Sequence, residues 1–378
     1  MITILDKKNC CGCEACVNVC PQRCITMHED EEGFKYPSLD LSHCIDCGLC
    51  ERVCPVLNRG DKRLPKSVLA GRNSNDAIRA ESSSGGVFTL LAERIIEEGG
   101  VVFGVRFDDS WEGVEHIGTD QADGLQMLRG SKYLQSRIGD TFNEVAELLK
   151  SGRKVLFSGT PCQIAGLKRA LRREYDNLFT VEVICHGVPS PLVWRNYLST
   201  VKGEREIESI TFRNKDTGWR NYRFKVDFKG GGSHAEPMRK NIFMRGFLYD
   251  LYLRPSCHEC PAKGGSSGAD MAIADFWGIE RFHPEFDDDK GVNLMLLYSD
   301  KAVELIDTLS LQTTPAKYEE GLHANPCIER SVAPPRSRAA FWKQYEQQGS
   351  KAIYNACRRI RRHRKWQRLK QRITKLFR

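Results

Sequence analysis

Two cysteine ladders with the same spacing occupy the first 54 residues, and this repeat constrains the chain more than any other feature. They are Cys10-x-x-Cys13-x-x-Cys16-x-x-x-Cys20 and Cys44-x-x-Cys47-x-x-Cys50-x-x-x-Cys54, each followed by proline. The x-x spacing lets a tight loop turn three sulfurs inward, and the fourth cysteine precedes a residue that cannot donate a backbone hydrogen bond. Four converging thiolates of this kind are the ligand set of a 4Fe–4S cubane.

The ladders predict two 4Fe–4S clusters with crossed ligation, in which the last cysteine of each ladder binds the cluster of the other. The predicted sets are Cys10, Cys13, Cys16 and Cys54 for one cluster, and Cys44, Cys47, Cys50 and Cys20 for the other. Cys11 and Cys24 fall outside this register and are predicted to be spare. A disulfide knot would need a secretory context, and the start of the sequence does not resemble a signal peptide. Zinc usually takes two pairs of ligands rather than two such ladders.

The distribution of cysteine and charge separates a small N-terminal module from a larger body and a basic tail. Ten of the sixteen cysteines precede residue 55, and none lies between residues 55 and 161. Their number without an export signal predicts a reducing, cytoplasmic compartment. The net charge of +8 belongs to the tail, because eleven Lys or Arg and no acid follow Cys357. No apolar run approaches the length of a membrane span, so we expect a soluble protein.

Alternating strand and helix patterns follow the module. Residues 155–157 and 179–185 are typical of buried strands and 162–173 of an amphipathic helix, which predicts a βαβ unit, and alternating apolar residues at 222–228 predict a further strand. We therefore expect a mixed-sheet α/β body after an α+β module. The expected divisions are a module at 1–57, a linker at 58–66, two regions of the body at 67–148 and 149–335, and a basic helical tail at 336–378.

A second set of cysteines lies in the body. Cys162 is at a predicted strand-to-helix turn, Cys185 is at a strand end, and Cys257-x-x-Cys260 precedes a proline. Sites in α/β proteins form at the carboxyl ends of strands. From spacing alone, the four thiols fit a third cluster, a zinc site or buried apolar residues, and Cys162 also fits a reactive thiol at a helix N-terminus.

Three polar turns containing glycine are candidate anion sites: Ser82-Ser83-Ser84-Gly85-Gly86, Gly130-Ser131-Lys132-Tyr133 and Ser158-Gly159-Thr160. Small residues let backbone N–H groups approach a phosphate, and a helix N-terminus adds positive potential. Each turn alone is also an ordinary helix cap. The chain has no G-x-G-x-x-G after a strand and no Walker motif, so neither a Rossmann dinucleotide site nor phosphoryl transfer is indicated.

Several ordered segments resemble the beta-subunit family of coenzyme F-420 hydrogenases and dehydrogenases, and the resemblance extends from Cys10 to about Pro335. The segments are ESSSGGVF at 81–88, RGSKYLQS at 129–136, SGTPCQIAGL at 158–167, CHGVPSP at 185–191, and the Cys257–Cys260 pair followed by ADFWG at 274–278. The resemblance implies a flavin, usually FAD, held against a mixed α/β sheet and supplied with single electrons by iron–sulfur clusters. It also implies a third cluster at Cys162, Cys185, Cys257 and Cys260. The flavin would be lined by Ser84, Gly85, Gly86, Lys132, Tyr133, Gly159 and Thr160.

These observations predict an iron–sulfur flavoprotein oxidoreductase that moves electrons between a ferredoxin-like donor, its own clusters, a flavin and a two-electron substrate. The alternative is a non-catalytic subunit that relays electrons to a partner enzyme, since the chain carries no hydrogenase-type catalytic sequence. Expected partners are a ferredoxin or catalytic subunit and a small-molecule substrate. Nucleic-acid binding would depend on the tail alone and is not expected.

The tail pattern is typical of an interfacial helix. Apolar residues recur at helical spacing among basic ones, at Trp366, Leu369, Ile373, Leu376 and Phe377. Such helices lie on anionic bilayer surfaces. We therefore expect a cytoplasmic protein with peripheral contact at the inner face of the membrane.

Overall fold

The computed structural model describes residues 2–376, except for the side chains at 364, 368, 369 and 371–376. The strands in this range are β1 Ile25–Glu29, β2 Lys35–Leu39, β3 Ser67–Asn73, β4 Val101–Phe107, β5 Val114–Thr119, β6 Val155–Gly159, β7 Leu178–Val183, β8 Ile207–Asn214, β9 Arg223–Phe228, β10 Ser233–Pro237, β11 Met271–Asp275, β12 Asn293–Leu297 and β13 Leu311–Pro315. The helices are α1 Ala15–Asn18, α2 Leu49–Arg52, α3 Asp76–Glu81, α4 Val87–Glu97, α5 Leu125–Leu128, α6 Thr141–Lys150, α7 Pro161–Leu171, α8 Pro191–Lys202, α9 Ile242–Leu248, α10 Ile279–Phe282, α11 Asp300–Asp307, α12 Tyr318–Ala324, α13 Arg338–Gln348 and α14 Ser350–Leu376. Short 3₁₀ turns occur at Lys7–Asn9, Pro255–Glu259, Pro284–Phe286 and Pro326–Ile328.

An eight-stranded mixed sheet forms the centre of the body, in the order β13-β3-β12-β11-β7-β6-β4-β5. The inner strands β11, β7, β6 and β4 run parallel, and antiparallel strands extend the sheet on both sides. Every residue of β6 is buried, as expected for a parallel strand covered on both faces. The mixed α/β architecture predicted for the body is confirmed.

Local sequence signals explain where the helices beside the parallel strands begin and end. α7 begins with Pro161, whose missing N–H is harmless at the first helical position. The side-chain oxygen of Gln163 accepts a hydrogen bond from the N–H of Thr160, the N-cap residue, at 3.1 Å. α4 begins after Gly86 (φ +80°) and ends before Gly99 (φ +76°), two positions in the left-handed region that glycine tolerates.

A second, three-stranded antiparallel sheet has the order β10-β9-β8 and packs with α8, α9, α13 and α14 around its own core. Phe224, Val226 and Phe228 alternate along β9 and are buried, which agrees with the strand predicted there. Trp194 of α8 contacts the ring of Phe224 edge-on, with 6.1 Å between centroids. This smaller core supports one wall of the cleft described below.

The C-terminal segment is helical, and its first part belongs to the body. Phe341, Tyr345, Ile353 and Cys357 are buried in the smaller core. Farther along α14, Trp366 is 53% exposed. The side chains of Leu369, Ile373 and Leu376, and Phe377 altogether, lie outside the described residues. No helix within residues 2–376 is long and apolar enough to cross a bilayer.

The N-terminal module packs directly on α7. Cys13 lies in the same core as Ile164 and Leu167. Gly166 permits this approach, because a Cβ there would be 3.1 Å from the sulfur of Cys13. Ion pairs between module and body include Glu29–Arg195, Glu32–Arg338 and Lys8–Glu259. The first cysteine ladder is therefore enclosed between the module and the body.

Candidate iron–sulfur sites and cofactor cleft

The thiols predicted for the second-ladder cluster line one cavity near the surface of the module, formed by Cys20, Cys44, Cys47 and Cys50. Cys47 is exposed, and neighbouring Ile45 is 60% exposed. Cys24, which the register leaves as spare, lines the same cavity with its sulfur 3.4 Å from that of Cys20. This site is therefore open to an external partner.

The first-ladder thiols lie deeper. Burial raises the pKa of Cys16 to about 12, and the nearby thiols of Cys10 and Cys54 act in the same direction. The thiol of Cys50 acts in the same way, and since Cys50 and Cys54 belong to the second ladder, the fold brings thiols of both ladders together. The side chain of Arg254 approaches the same group, with Nη2 3.5 Å from the sulfur of Cys10.

The four body cysteines also converge, beside the carboxyl ends of β6 and β7. Cys162 lies in the first turn of α7 after β6, Cys185 follows β7, and Cys257 and Cys260 come from the turn that begins at Pro255. Electrostatic interactions link every pair of these thiols. Burial raises the pKa of Cys257 to about 12 and that of Cys260 to about 11. Such thiols ionise readily only when a bound metal supplies compensating positive charge.

The surroundings of Cys162 oppose the reactive-thiol alternative. Contact with Cys11 and burial raise the pKa of Cys162 well above its usual value, whereas an activated thiol needs a lowered pKa.

The N–H of Val188 donates to the sulfur of Cys257 at 3.4 Å, a hydrogen bond of the kind that tunes iron–sulfur sites. Among residues 2–376, no three His, Cys, Asp or Glu side chains surround a single-ion position. The thiolates of a cubane bind different iron atoms.

A cleft of about 1740 Å³ opens between the second glycine turn and the three-stranded sheet. Its lining includes Gly130 and Lys132 on one side and Phe212, Arg213 and Asn214 on the other. Small-molecule sites commonly measure roughly 300–1,000 Å³, so the cleft has room for more than one ligand. Within the described residues, Nε of Arg213 and Oδ1 of Asn214 are buried without a hydrogen-bond partner.

Lys132 is the predicted flavin residue with the most distinctive surroundings. Its ammonium group donates to the main-chain oxygens of Met127 and Arg129, at 2.8 and 3.0 Å. Burial lowers the pKa of Lys132 to about 7. Gly130 has φ +83° and no atom within 4 Å of a Cβ position, so the turn is open at this point. With this pKa, the charge of Lys132 changes near neutral pH and responds to the charge of a bound ligand.

The other predicted flavin residues are packed into the protein. Ser84, Gly85 and Gly86 are buried, and a Cβ at Gly85 would lie 2.5 Å from the main-chain oxygen of Gly71. Gly159 and Thr160 form the entry to α7 beside Cys162. Ser83 of the first turn does line the cleft, and its hydroxyl accepts a hydrogen bond from the N–H of Ser131 at 2.7 Å. Among the described residues that line the cleft, none is from the third turn. The glycines of both turns serve close backbone packing here.

Aromatic rings connect the third cysteine set with the cleft. His186 follows Cys185, and its ring centroid is 5.2 Å from that of Phe247. Tyr133 lies 5.4 Å from Phe247 and 5.4 Å from Phe212, which lines the cleft. Tyr133 therefore lies behind the cleft wall, between the cleft and the cysteines.

Two buried arginines were missed by the sequence analysis. Arg213 donates from Nη1 to Asp275 at 2.7 Å, and Asp275 also accepts from the indole N–H of Trp219 at 2.9 Å. Arg254 is 1% exposed. Asp275 could be recognised from the sequence because it lies in the 274–278 segment that resembles the family. No local sequence pattern distinguishes a buried arginine from a surface one.

The fold and the clustered thiols define an electron-transfer protein in which an iron–sulfur module is docked on a mixed α/β body. Residues 68–141 and 152–316 match the N-terminal and C-terminal models of the coenzyme F420 hydrogenase/dehydrogenase beta subunit, and residues 9–58 match a 4Fe-4S dicluster domain. The chain therefore belongs to the coenzyme F420 hydrogenase/dehydrogenase beta-subunit family and carries an N-terminal 4Fe–4S dicluster domain.

One solved structure with a similar chain is a xenon derivative of the F420-reducing [NiFe] hydrogenase complex from Methanosarcina barkeri. Its chain is 16% identical, with a TM-score of 0.48, and the match covers 72% of this chain and 97% of that one. No curated protein sequence matches this chain significantly.

Proposed function

We propose that this protein is an iron–sulfur flavoprotein oxidoreductase that takes electrons from a ferredoxin-like donor and delivers them to a small molecule in the cleft. The order of the thiol groups through the molecule carries this proposal. Cys47 is exposed, Cys13 is buried against α7, and Cys162 contacts Cys11, which lies between Cys10 and Cys13 of the first ladder. Tyr133 then lies between the third set and the cleft. This order is what conduction from the surface to the cleft requires.

The proposed cluster ligands are Cys10, Cys13, Cys16 and Cys54; Cys44, Cys47, Cys50 and Cys20; and Cys162, Cys185, Cys257 and Cys260. Their support is convergence, since each group combines thiols that are distant in sequence. When bound, clusters carry single electrons and a flavin exchanges one or two, which couples a one-electron donor to two-electron chemistry.

The cleft supports FAD through its mixture of charge and aromatic surface. Lys132 supplies positive charge for a pyrophosphate or for a reduced, anionic flavin ring, whereas the charge of Arg213 is paired with Asp275. Phe212 and Trp111 supply apolar surface.

Anaerobically purified protein should contain about twelve irons per chain, the content of three cubanes, together with about one FAD. Its flavin absorbance should bleach when reduced ferredoxin or dithionite is added. Quantification of iron, sulfide and flavin on one preparation tests all three sites. If the protein has its full iron content but neither contains nor binds flavin, the oxidoreductase proposal is contradicted. The alternative, an electron-relay subunit, would then remain.

The relay function is the second candidate, favoured by the family description, which names beta subunits. In that case the exposed second ladder and the cleft would connect two protein partners rather than a donor and a substrate. Turnover of a small molecule by the purified single chain discriminates between the two functions.

We also propose that the end of α14 holds the protein at anionic membrane surfaces. Eleven Lys or Arg follow Cys357, and each basic residue near such a surface contributes on the order of 1 kcal/mol. Deleting residues 361–378 leaves Ile353 and Cys357 in their core and should abolish co-sedimentation with phosphatidylserine vesicles at low salt. Binding that survives the deletion, or that is equal with neutral phosphatidylcholine vesicles, would refute this.

A further inference from the structure

A buried arginine lies at the junction of the first ladder and the body. Arg254 donates from Nε to the main-chain oxygen of Cys10 at 2.8 Å and from Nη2 to that of Lys35 at 2.9 Å. Its Nη1 donates to Oε1 of Gln135 at 3.1 Å. Gln135 in turn donates to the main-chain oxygen of Cys11 at 2.8 Å. The guanidinium is therefore held in one orientation against the ladder.

The charge of Arg254 has no carboxylate partner within residues 2–376. Its hydrogen-bond acceptors are neutral oxygens and the sulfur of Cys10, and the ring of Tyr36 lies 4.3 Å from its guanidinium carbon. The nearby thiols that interact with its charge are Cys10 and Cys11 in the first-ladder loop and Cys162 and Cys257 of the body set. Burying an unpaired charge is costly, so a compensating negative charge is expected here. Clusters bound by four thiolates carry that negative charge.

Two other largely buried arginines show the contrast. Arg213 pairs with Asp275, and Arg338 pairs with Glu32 at the same junction of module and body. Arg338 also donates to the main-chain oxygen of Leu253, next to Arg254 in sequence. At this junction the charge of Arg338 is therefore neutralised by a carboxylate, whereas the charge of Arg254 is not. Of the two, only Arg254 faces the cysteines.

We propose that Arg254 is a positioning residue that raises the reduction potential of the first-ladder site and thereby favours electron transfer to this site from the exposed second ladder. Reduction takes one electron from the donor and adds one negative charge to the cluster, with no proton involved. A buried cation stabilises the added charge, and an N–H bond to the ligand sulfur acts in the same direction. This inference rests on the proposed function, because it requires a cluster bound through Cys10.

The test is a potentiometric titration of the full chain, anaerobically loaded with iron and followed by electron paramagnetic resonance. Arg254→Gln should lower one midpoint potential by about 59 mV or more, a tenfold change in a one-electron equilibrium. The exposed second-ladder site, distant from Arg254, should keep its potential. Arg254→Lys, which retains the charge, should produce a smaller shift. Arg338→Gln is the matched control and should leave every midpoint unchanged.

Iron content separates failure of this inference from failure of the proposed function. Wild-type protein that binds no clusters contradicts the proposed function itself. Full iron with unchanged midpoints in Arg254→Gln overturns the role of Arg254 alone. If Arg254→Gln does not retain its iron, Arg254→Lys decides, and a shift of 59 mV or more with the charge still present overturns the inference. If Arg254→Gln and Arg254→Lys both lose iron while Arg338→Gln is fully loaded, Arg254 is a structural residue, and this result also overturns the inference.

Discussion

Replacing Cys257 by serine should remove about four of about twelve irons per chain and leave the N-terminal dicluster module loaded. The four body thiols form one electrostatically linked group, so losing one ligand should dismantle a whole cubane. The module contributes Cys11 to the surroundings of Cys162 but no predicted ligand to this site. Iron and sulfide determination on anaerobically purified variant and wild type measures the loss.

Cys327 provides the matched control. Lys263 donates to the main-chain oxygens of both Cys185 and Cys327, which places Cys327 beside the site and outside the converging group. Cys327→Ser should therefore retain all the iron. If Cys257→Ser also keeps about twelve irons, or if the wild-type site holds one zinc, the body cysteines are not cluster ligands.

Features encoded by local periodicity could be predicted from the sequence. The unit of β6, α7 and β7 follows the predicted βαβ pattern closely, because a buried strand, a proline at the first helical position and an apolar helical face lie together in one short segment. The alternation of apolar residues along β9 likewise predicts both the strand and its buried face, because this pattern is also local. The cysteine ladders were visible because cluster ligation requires fixed spacing within a loop.

Features that depend on distant partners could not be predicted. β3 pairs with both β12 and β13, so that Gly71 is opposite Asn293 on one side and Thr313 on the other. No local pattern specifies partners more than two hundred residues away. Cys11 was assigned as spare from its register, and its contact with Cys162 arises only when the module docks on α7. The same docking buries Arg254, whose neighbours come from three separate parts of the chain.

Replacing Lys132 by alanine should weaken FAD binding by about thirtyfold at pH 6, equivalent to about 2 kcal/mol for a charge-assisted hydrogen bond. The reason lies in the pKa of Lys132, which burial lowers to about 7 from a usual value of about 10.4. Below pH 7 the lysine is charged before an anionic flavin arrives. Above pH 7 it is neutral, and binding must also take up a proton. Wild-type affinity should therefore fall by up to tenfold for each pH unit above 7, until the thirtyfold contribution of the charge is lost. Flavin fluorescence titration of deflavinated protein measures this profile.

The Lys132→Ala profile should be weaker and flatter than that of wild type, since the group that takes up the proton is gone. Lys215 also lines the cleft with a pKa lowered to about 7, chiefly by burial, but its ammonium group already donates to three main-chain oxygens. Lys215 is present in both wild type and Lys132→Ala, so it cannot account for a difference between their profiles. Lys229, exposed on the outer wall and paired with Glu206 at 3.2 Å, is the matched control, and Lys229→Ala should bind FAD like wild type. Equal affinity and equal pH dependence in wild type and Lys132→Ala would place the flavin elsewhere. In contrast, a steep profile that disappears only with Lys132 would identify this ammonium group as the one that meets the flavin's negative charge.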